Sequence, residues 1–251
     1  SPKVAGELIA AARLVDKPVI VNFIGYATSM RKVDNLTFAT TFDETAELAV
    51  QAAKENVFSK NEIPNLERFA PGQRYLRGLF SGGTLAYEAQ LILRDYLPAV
   101  YSNAPLSKDL KLEDPLISRE HTLIDLGEDV FTVGRLHPMM DNDLRIRRLE
   151  KEANDPEVAV ILLDVVLGFG AHPNPASELA PAIANARRIA SDGGRTLETV
   201  AVVCGTDEDP QNMNEQIKLL KEAGAFVETS NDAAVRRVGR LVRALSQRGV
   251  S

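Results

Sequence analysis

The sequence has little of several features that mark particular classes of protein. Its single cysteine, Cys204, excludes an internal disulfide and is typical of a reducing cytoplasm, which is the location we expect. No apolar run approaches the ~20 residues of a membrane-spanning helix, and no signal peptide is visible, so we expect neither membrane insertion nor export. The Walker A motif and the GxGxxG motif are both absent, so no nucleotide-binding motif is present.

Positive charge is scarce relative to negative charge. The 29 Lys and Arg residues face 35 Asp and Glu residues, which gives a formal net charge of -6. We therefore expect neither nucleic acid nor an anionic membrane as a partner. The acidic run GTDEDP, 205–210, could bind a cation, but consecutive carboxylates are typical of a solvated turn, so no metal site is predicted. The mixed-charge stretch 147–157 is predicted to be an exposed helix.

Helix and strand patterns alternate along most of the chain. Some strands, such as VAVILLDVV at 158–166, are almost continuous runs of Val, Ile and Leu, as a parallel sheet covered on both faces requires. The alternation predicts an α/β fold with a doubly wound parallel sheet of the flavodoxin-like type. Its five predicted strands are 75–80, 122–126, 158–167, 199–204 and 225–229.

The first 56 residues differ from the rest. They show one convincing strand, 19–24, between two helices, and one strand cannot form a sheet. Either this strand joins the edge of the main sheet, or it belongs to the tail of a second α/β domain whose earlier strands are absent; we favour the second. Residues 57–73 are polar and aperiodic and are predicted to be a linker. The complete domain is then 74–251, and the absence of an initiator Met leads us to expect a piece of a longer protein.

The carboxyl ends of the strands are where an open parallel sheet binds ligands. The loop Ser81-Gly82-Gly83-Thr84 leads from the first of these strands into a helix, where free N–H groups and the helix dipole can hold an anion. In the alternative, Ser81 or Thr84 caps the helix and the glycines only turn the chain. Loops after later strands add further candidates for binding phosphate or another anion, namely Gly168, Gly170, Gly205 and Thr206.

Three more side chains are candidates for catalysis. Arg135 can hold a carboxylate or a phosphate with paired hydrogen bonds, and His137 can transfer protons or carry a phosphoryl group. His172 follows a central strand and is the third candidate, although a lone loop histidine is more often structural. His121 is predicted to be structural, and Cys204 to fill the core rather than to act as a nucleophile.

The combined motifs resemble a known family. FSGGTLAYEAQLI is similar to the segment of the succinyl-CoA synthetase alpha subunit in which a glycine-preceded helix N-terminus faces the phosphoryl group. The chain resembles the FdrA family still more closely, through LIDLGED, TVGRLHPMMD, DPEVAVILLDVVLGFGAHPNPA and VAVVCGTDEDPQ. The N-terminal stretches SPKVAGEL, KPVIVNFIGYATSM and TFATTFDETAELA fit the same family, so the resemblance covers essentially the whole chain. FdrA proteins are succinyl-CoA-synthetase-like; they are described as acyl-CoA synthetases and have been associated with oxamate carbamoyltransferase.

This resemblance implies a domain organisation and a set of ligands. Residues 1–56 would be the C-terminal part of a first ligase-type α/β domain, and 74–251 a complete CoA-ligase-type domain, with the N-terminal half of the protein missing. The implied ligands are CoA or carbamoyl phosphate, together with a small carboxylic acid. An oligomer or partner subunits are also implied. At 205–210 the sequence GTDEDP stands where the synthetase carries its phosphohistidine, so that role is not predicted for this chain.

Three functions follow as alternatives. The first is an FdrA-type enzyme, either acid-thiol ligase-like or a carbamoyltransferase component. The second is succinate-CoA ligation like that of the synthetase alpha subunit. The third is a non-catalytic module that binds or assembles partner subunits. The missing phosphohistidine and nucleotide motifs favour the third, whereas the glycine loops gathered at one sheet edge favour an enzyme.

Overall fold

The computed structural model describes residues 2–14, 18–24, 31–52 and 65–248. The chain divides into two compact units, Ser1–Asn61 and Glu62–Ser251, and each is described by itself. Residues 57–64 of the predicted linker lie outside the described residues. Its remaining part contains a short 3-10 turn, Leu66–Arg68. The domain boundaries drawn from the sequence stay predictions.

The smaller unit contains a sheet of its own. In chain order its elements are α1 (Pro2–Ala12), β1 (Val19–Val21), β2 (Lys32–Val33), β3 (Leu36–Phe38) and α2 (Phe42–Ala52). β1 pairs in parallel with β3, and β2 pairs with β3 in the antiparallel sense. The prediction of a single strand over 19–24 is therefore wrong in extent and number. β2 and β3 have three residues or fewer, which is too short for a periodic pattern to reveal.

The larger unit is built on one parallel sheet. In chain order its elements are β4 (Tyr75–Phe80), α3 (Gly83–Leu93), β5 (Tyr101–Ser102), β6 (Thr122–Asp125), α4 (Asp129–Thr132), α5 (Asp143–Ala153), β7 (Val158–Val166), α6 (Pro175–Asp192), β8 (Glu198–Cys204), α7 (Met213–Glu222), β9 (Phe226–Glu228) and α8 (Asn231–Arg248). All six strands are parallel, in the order β5-β6-β4-β7-β8-β9. Without the two-residue edge strand β5, this is the 2-1-3-4-5 order of flavodoxin-like sheets. The predicted fold class is confirmed, and β5 is the strand that the sequence did not reveal.

The central strand β7 explains the nearly unbroken apolar sequence. Ile161 and Leu163 pack into the core that contains residues of α5, α6 and α7. Val160 and Leu162 belong to the core on the opposite face, with residues of α3 and α8. Because helices cover both faces, every position of the strand up to its last residue is buried, and alternation between apolar and polar residues would leave polar groups in the core.

A buried group of charges lies where α5 ends beside the start of β4. Arg77 Nε donates to Glu152 Oε2 at 2.7 Å, and Arg148 Nε donates to Glu152 Oε1. Ser118 Oγ also donates to Glu152 at 2.6 Å, and Arg77 pairs with Asp155 at 2.7 Å. The prediction of an exposed mixed-charge helix is wrong for Arg148 and Glu152, which are buried. These charges can leave water because each finds an opposite charge and further hydrogen bonds.

His121 is buried beside the same strand. Its Nδ1 accepts the Leu76 N–H at 3.3 Å, and its ring meets the Tyr75 ring edge to face. Burial, together with the positive charges of Arg77 and Arg74, lowers the pKa of His121 to about 4. The imidazole is therefore neutral in the folded protein at neutral pH, as a structural histidine is expected to be.

This lowered pKa predicts a loss of stability in acid. In the unfolded chain His121 has the ordinary histidine pKa of about 6.5, whereas in the folded chain its pKa is about 4. Between these pH values the unfolded state binds more protons, so the free energy of unfolding falls as the pH falls, by about 3 kcal/mol in all. Urea denaturation of the wild type and of His121→Asn at pH 7, 6, 5 and 4 measures this. The difference between the two proteins should change by that amount, since their shared carboxylates cancel. A difference that is the same at all four pH values would contradict it.

Candidate functional site

The order of the strands places a crevice between β4 and β7. The chain leaves β4 for α3 on one face of the sheet and leaves β7 for α6 on the other, so the two connecting loops diverge. Such a switch point is where open α/β sheets bind ligands. Among the residues that the sequence indicated, those at 81–84 and 168–172 begin at this point of the sheet edge.

Helix α3 begins without a capping side chain. Its N-cap residue, Gly82, has an extended backbone, and no side chain bonds to the N–H groups of its first turn. Gly83 and Thr84 follow and are exposed. First-turn N–H groups have no partner inside their own helix, so they remain available to water or to a ligand. The alternative in which Thr84 or Ser81 caps this helix is not what the structure contains.

Ser81 faces the interior instead. It is fully buried, and both its N–H and its hydroxyl donate to the carboxylate of Asp164, at 2.8 and 2.6 Å. The hydroxyl group of Ser81 is thus engaged with β7, and its predicted contact with an anion stays a prediction. Asp164, which is 1% exposed, thus joins the loop after β4 to strand β7.

Asp164 is paired with a second buried charge. Arg145, 2% exposed, donates through Nη1 to Asp164 Oδ1 at 3.0 Å and through Nη2 to Asn142 Oδ1 at 2.9 Å. Asn142 in turn donates to Glu178 Oε2 at 3.0 Å. Neither Asp164 nor Arg145 was predicted as a site residue, because one lies in an apolar strand and the other in a polar helix. An aspartate inside a run of Val, Ile and Leu is the signal that could have found the pair.

Asp125 lies at the start of α3 although it belongs to β6. Its Oδ1 accepts the Gly127 N–H at 2.9 Å, and a methyl group on Gly83 would come within 2.8 Å of its Oδ2. Burial raises the pKa of this carboxyl, and the charges of Glu128 and Asp164 raise it further. Asp125 was not predicted as a site residue; a carboxylate that ends an apolar strand was the available signal.

His137 is brought to the same place. Its Nδ1 accepts the Met139 N–H at 3.2 Å, so the neutral ring carries its proton on Nε2. That Nε2 lies beside Gly127, where a methyl group would be 2.9 Å from it, 2.9 Å from the Ser81 carbonyl oxygen and 3.1 Å from Asp125 Oδ1. Only a residue without a side chain fits between these three atoms. His137, Asp125 and the start of α3 therefore form one group.

Arg135 points elsewhere. Its exposed side chain lines a cavity of about 340 Å³ together with Asp141, Asp143 and Arg147. Among the hydrogen bonds and ion pairs of the described residues, none joins Arg135 to His137. A role for Arg135 in catalysis stays a prediction.

His172 is connected to this group through its backbone. Its N–H donates to the Met139 carbonyl at 2.7 Å, so the loop after β7 is joined to the segment that carries His137. The ring itself turns towards α6: Nδ1 accepts the Asn174 N–H at 3.1 Å, and Nε2 lies 3.4 Å from Glu178 Oε1. The imidazole of His172 is thus held beside Glu178 at the start of α6.

The remaining glycine positions differ in how their N–H groups are satisfied. Gly168, at φ 137°, exchanges two hydrogen bonds with Gln211, a residue that the sequence analysis did not select. Gly205 packs against Leu167, and the Thr206 N–H donates to Asp209 at 2.6 Å. Gly170 is exposed beside Phe169, which is 93% exposed. The N–H groups of Gly168 and Thr206 already have acceptors, so the start of α3 is the better anion site, and the binding roles of Gly168, Gly170, Gly205 and Thr206 stay predictions.

Cys204 is not a core residue. The prediction that it fills the core is wrong: the side chain is exposed at the carboxyl end of β8. Partial burial, followed by the charges of Asp164 and Asp209, raises the pKa of the thiol, which disfavours the reactive thiolate. Cys204 is the last residue of β8 and lies at the sheet edge, which the helices do not cover. In the sequence it continues the apolar run of the strand, so the pattern does not show that it is exposed.

The described residues contain neither a cluster of metal ligands nor a helix that could span a membrane. Within 2–14, 18–24, 31–52 and 65–248, no three His, Cys, Asp or Glu residues are grouped so that they could hold a metal ion. None of the helices in those ranges combines the length and the apolar character needed to cross a bilayer.

Comparison with known proteins gives a family. A model of the CoA-ligase family matches residues 79–241. The uncharacterized protein YahF of Escherichia coli (strain K12) is 38% identical over 239 residues, which are 92% of this chain and 46% of that protein. The chain therefore spans about half the length of this relative.

Two solved structures are also similar. The dinucleotide-forming acetyl-coenzyme A synthetase 1 of Ca. Korarchaeum cryptofilum is 15% identical with a TM-score of 0.45, over 86% of this chain and 41% of that one. The ATP citrate lyase of Methanothrix soehngenii, in complex with citrate and coenzyme A, is 14% identical with a TM-score of 0.40, over 98% and 38%. Since the family model covers more than half of the sequence, this chain belongs to the CoA-ligase family.

Proposed function

We propose that this chain is part of an FdrA-type acyl-CoA synthetase-like enzyme that acts on a small carboxylic acid. Its chemistry would be phosphoryl or carbamoyl transfer, as in an oxamate carbamoyltransferase component, or formation of a CoA thioester. The match to the CoA-ligase family supports the ligase-like class. The finer assignment is supported by the resemblance of the loop and strand motifs to FdrA.

One observation carries the proposal. An uncapped helix N-terminus, α3, lies at the switch point of a parallel sheet, with Asp125 and His137 beside it. In this role, the N–H groups after Gly82 would hold the phosphoryl or carboxylate oxygens of the ligand. The Nε2 proton of His137 would be positioned for transfer to or from the bound group.

The proposed ligands and partners follow from the family and from the length of the chain. CoA or carbamoyl phosphate would be the activated ligand, and a small acid the second substrate. The chain covers 46% of YahF, so we propose that an N-terminal half and further subunits complete the enzyme, in the cytoplasm. Arg135 would then hold a carboxylate in the neighbouring cavity, a role that its exposed guanidinium permits.

Gly82→Asp is expected to weaken anion binding at the start of α3. Aspartate is a strong N-cap residue, so its carboxylate should accept the first-turn N–H groups and repel a second anion. Gly82→Ala is the matched control: the backbone is extended, nothing lies within 4 Å of the added methyl group, and the N–H groups stay free. Calorimetric titration with inorganic phosphate and carbamoyl phosphate should show at least about a tenfold loss of affinity for Gly82→Asp only, equivalent to ~1.4 kcal/mol. Equal binding by all three proteins would place the anion elsewhere.

The reaction itself is tested with the complete enzyme. The chain, joined to its proposed N-terminal half and partner subunits, is incubated with candidate acids and either ATP and CoA or carbamoyl phosphate, and the products are identified. Acyl-CoA would support the ligase reading, with succinyl-CoA identifying a synthetase-like activity, and a carbamoylated acid would support the transferase reading. Unchanged rates in both His137→Ala and Arg135→Ala would remove these residues from the mechanism.

A second function has its own support. Several apolar side chains are exposed on the segment after β6 and on the loop after β7, namely Val133, Leu136, Met140 and Phe169. We propose as an alternative that these side chains form an interaction surface, because exposed apolar patches mark such surfaces. In this alternative the chain is a non-catalytic module that binds or assembles subunits. Binding of partner subunits without any binding of phosphate, CoA or carbamoyl phosphate would favour it.

A further inference from the structure

Asp125 combines deep burial with one oxygen that has no hydrogen bond. The residue is 4% exposed, and its Oδ1 accepts the Gly127 N–H. Within residues 65–248, no hydrogen bond reaches its Oδ2. This oxygen points at the start of α3, because a methyl group on Gly83 would come within 2.8 Å of it. A carboxylate oxygen without a hydrogen bond, on a residue that is 4% exposed, therefore lies beside the first residue of α3, where an anion would bind.

The groups around Asp125 act in opposing directions on its charge. Burial opposes ionisation most strongly, and the negative charges of Glu128 and Asp164 also oppose it. The Gly127 N–H favours ionisation, as a positive charge on His137 would, and so does the N-terminal end of α3. An anion bound next to Oδ2 would add one more negative charge at close range. Two such groups cannot both stay ionised at low energetic cost, and the usual outcome is that one of them binds a proton.

We propose that Asp125 takes up one proton when an anion binds at the start of α3, and that its O–H group then donates to the bound ligand. The proton comes from solvent, and the only covalent bond formed is the O–H bond on Oδ2. The site would thus select ligands that present a hydrogen-bond-accepting oxygen, such as a phosphoryl group or a carboxylate. This inference rests on the proposed anion site and assigns a role to a residue that the sequence did not indicate.

Sulfate is a suitable probe because it does not itself titrate between pH 5 and 8. Sulfate binding to the 251-residue chain is measured by calorimetry at constant ionic strength, in buffers with different ionisation enthalpies, so that the number of protons taken up is obtained directly. For the wild type we expect uptake approaching one proton per sulfate. Above the pKa of Asp125 in the free protein, the affinity should fall about tenfold per pH unit.

Two charge-neutralising variants separate this role from a general electrostatic effect. Asp125→Asn should bind sulfate with no proton uptake and with an affinity that is independent of pH. Glu128→Gln removes the same charge from an exposed neighbour, and there the proton uptake should remain.

The outcomes separate the inference from the site on which it rests. Sulfate binding by the wild type without proton uptake overturns the role of Asp125 but leaves the anion site standing. Uptake that persists in Asp125→Asn and is lost in His137→Gln assigns the proton to the histidine and also overturns it. The absence of sulfate binding in both the wild type and Asp125→Asn overturns the anion site together with the inference.

Discussion

Replacing Asp164 by alanine is expected to lower the free energy of unfolding of the larger unit by about 3–5 kcal/mol. The substitution leaves the Arg145 guanidinium buried without its counter-charge, and it deprives the Ser81 N–H and hydroxyl of their acceptor. Removing one partner of a buried ion pair costs far more than the pair contributes, because the remaining charge stays out of water. Urea denaturation followed by circular dichroism measures the change, since the chain has no tryptophan to report by fluorescence.

Asp192→Ala is the matched control. Asp192 also pairs with an arginine, Arg188, at 2.7 Å, but both side chains are exposed, so a loss below about 1 kcal/mol is expected. Asp164→Asn retains one carbonyl acceptor and should fall between the two alanine variants. A loss for Asp164→Ala as small as that of the control would contradict the prediction that Arg145 is left as an uncompensated buried charge.

Glu152→Ala should destabilise the larger unit by a similar amount, again about 3–5 kcal/mol. Here one carboxylate serves two buried arginines, Arg77 and Arg148, and also accepts the Ser118 hydroxyl. Asp155 can still pair with Arg77, but Arg148 is left without a carboxylate among its hydrogen-bond partners. The same denaturation experiment at neutral pH measures the effect.

Glu157→Ala provides the comparison for this second variant. Glu157 pairs with Arg74 through half-exposed side chains near the same end of the sheet, so it should cost less than about 1 kcal/mol. If Glu152→Ala and Glu157→Ala lost equal stability, the burial of the three charges would have no energetic consequence, and the interpretation of this group as a charge cluster held by burial would fail.

Most strands of the larger unit could be predicted because a long, buried strand appears in the sequence as a run of apolar residues. β7 is nine residues long and covered on both faces, so its apolar run is unmistakable. β2, β3 and β5 have two or three residues each. They form because a neighbouring strand offers hydrogen bonds, and their residues show no hydrophobic pattern of their own. These three strands are therefore decided by tertiary pairing, which a single sequence does not display.

The candidate site divides in the same way. Gly82 and Gly83 could be selected because a helix start after a parallel strand is a local property. Asp164 and Ser81 are 83 positions apart, and no local pattern in either segment indicates that the two side chains are in contact. Residues whose role depends on a distant partner, including Arg145 and Gln211, became visible only when the sheet brought the loops together.

Helix α5 is the element whose placement has the widest consequence. Its buried positions Arg145, Arg148 and Glu152 follow one another at helical spacing on the side that faces the sheet, so polar groups occupy the stripe where apolar ones are usual. A residue inserted between Arg145 and Arg148 would rotate the rest of the helix by about 100° and take Glu152 away from Arg77. Apolar side chains can repack after such a change of register, whereas charges with fixed partners cannot. Ion pairs near both ends of α5 thus fix its position along the sheet. The loop that carries His137 leads into the first turn of α5, so the end of that loop is fixed as well.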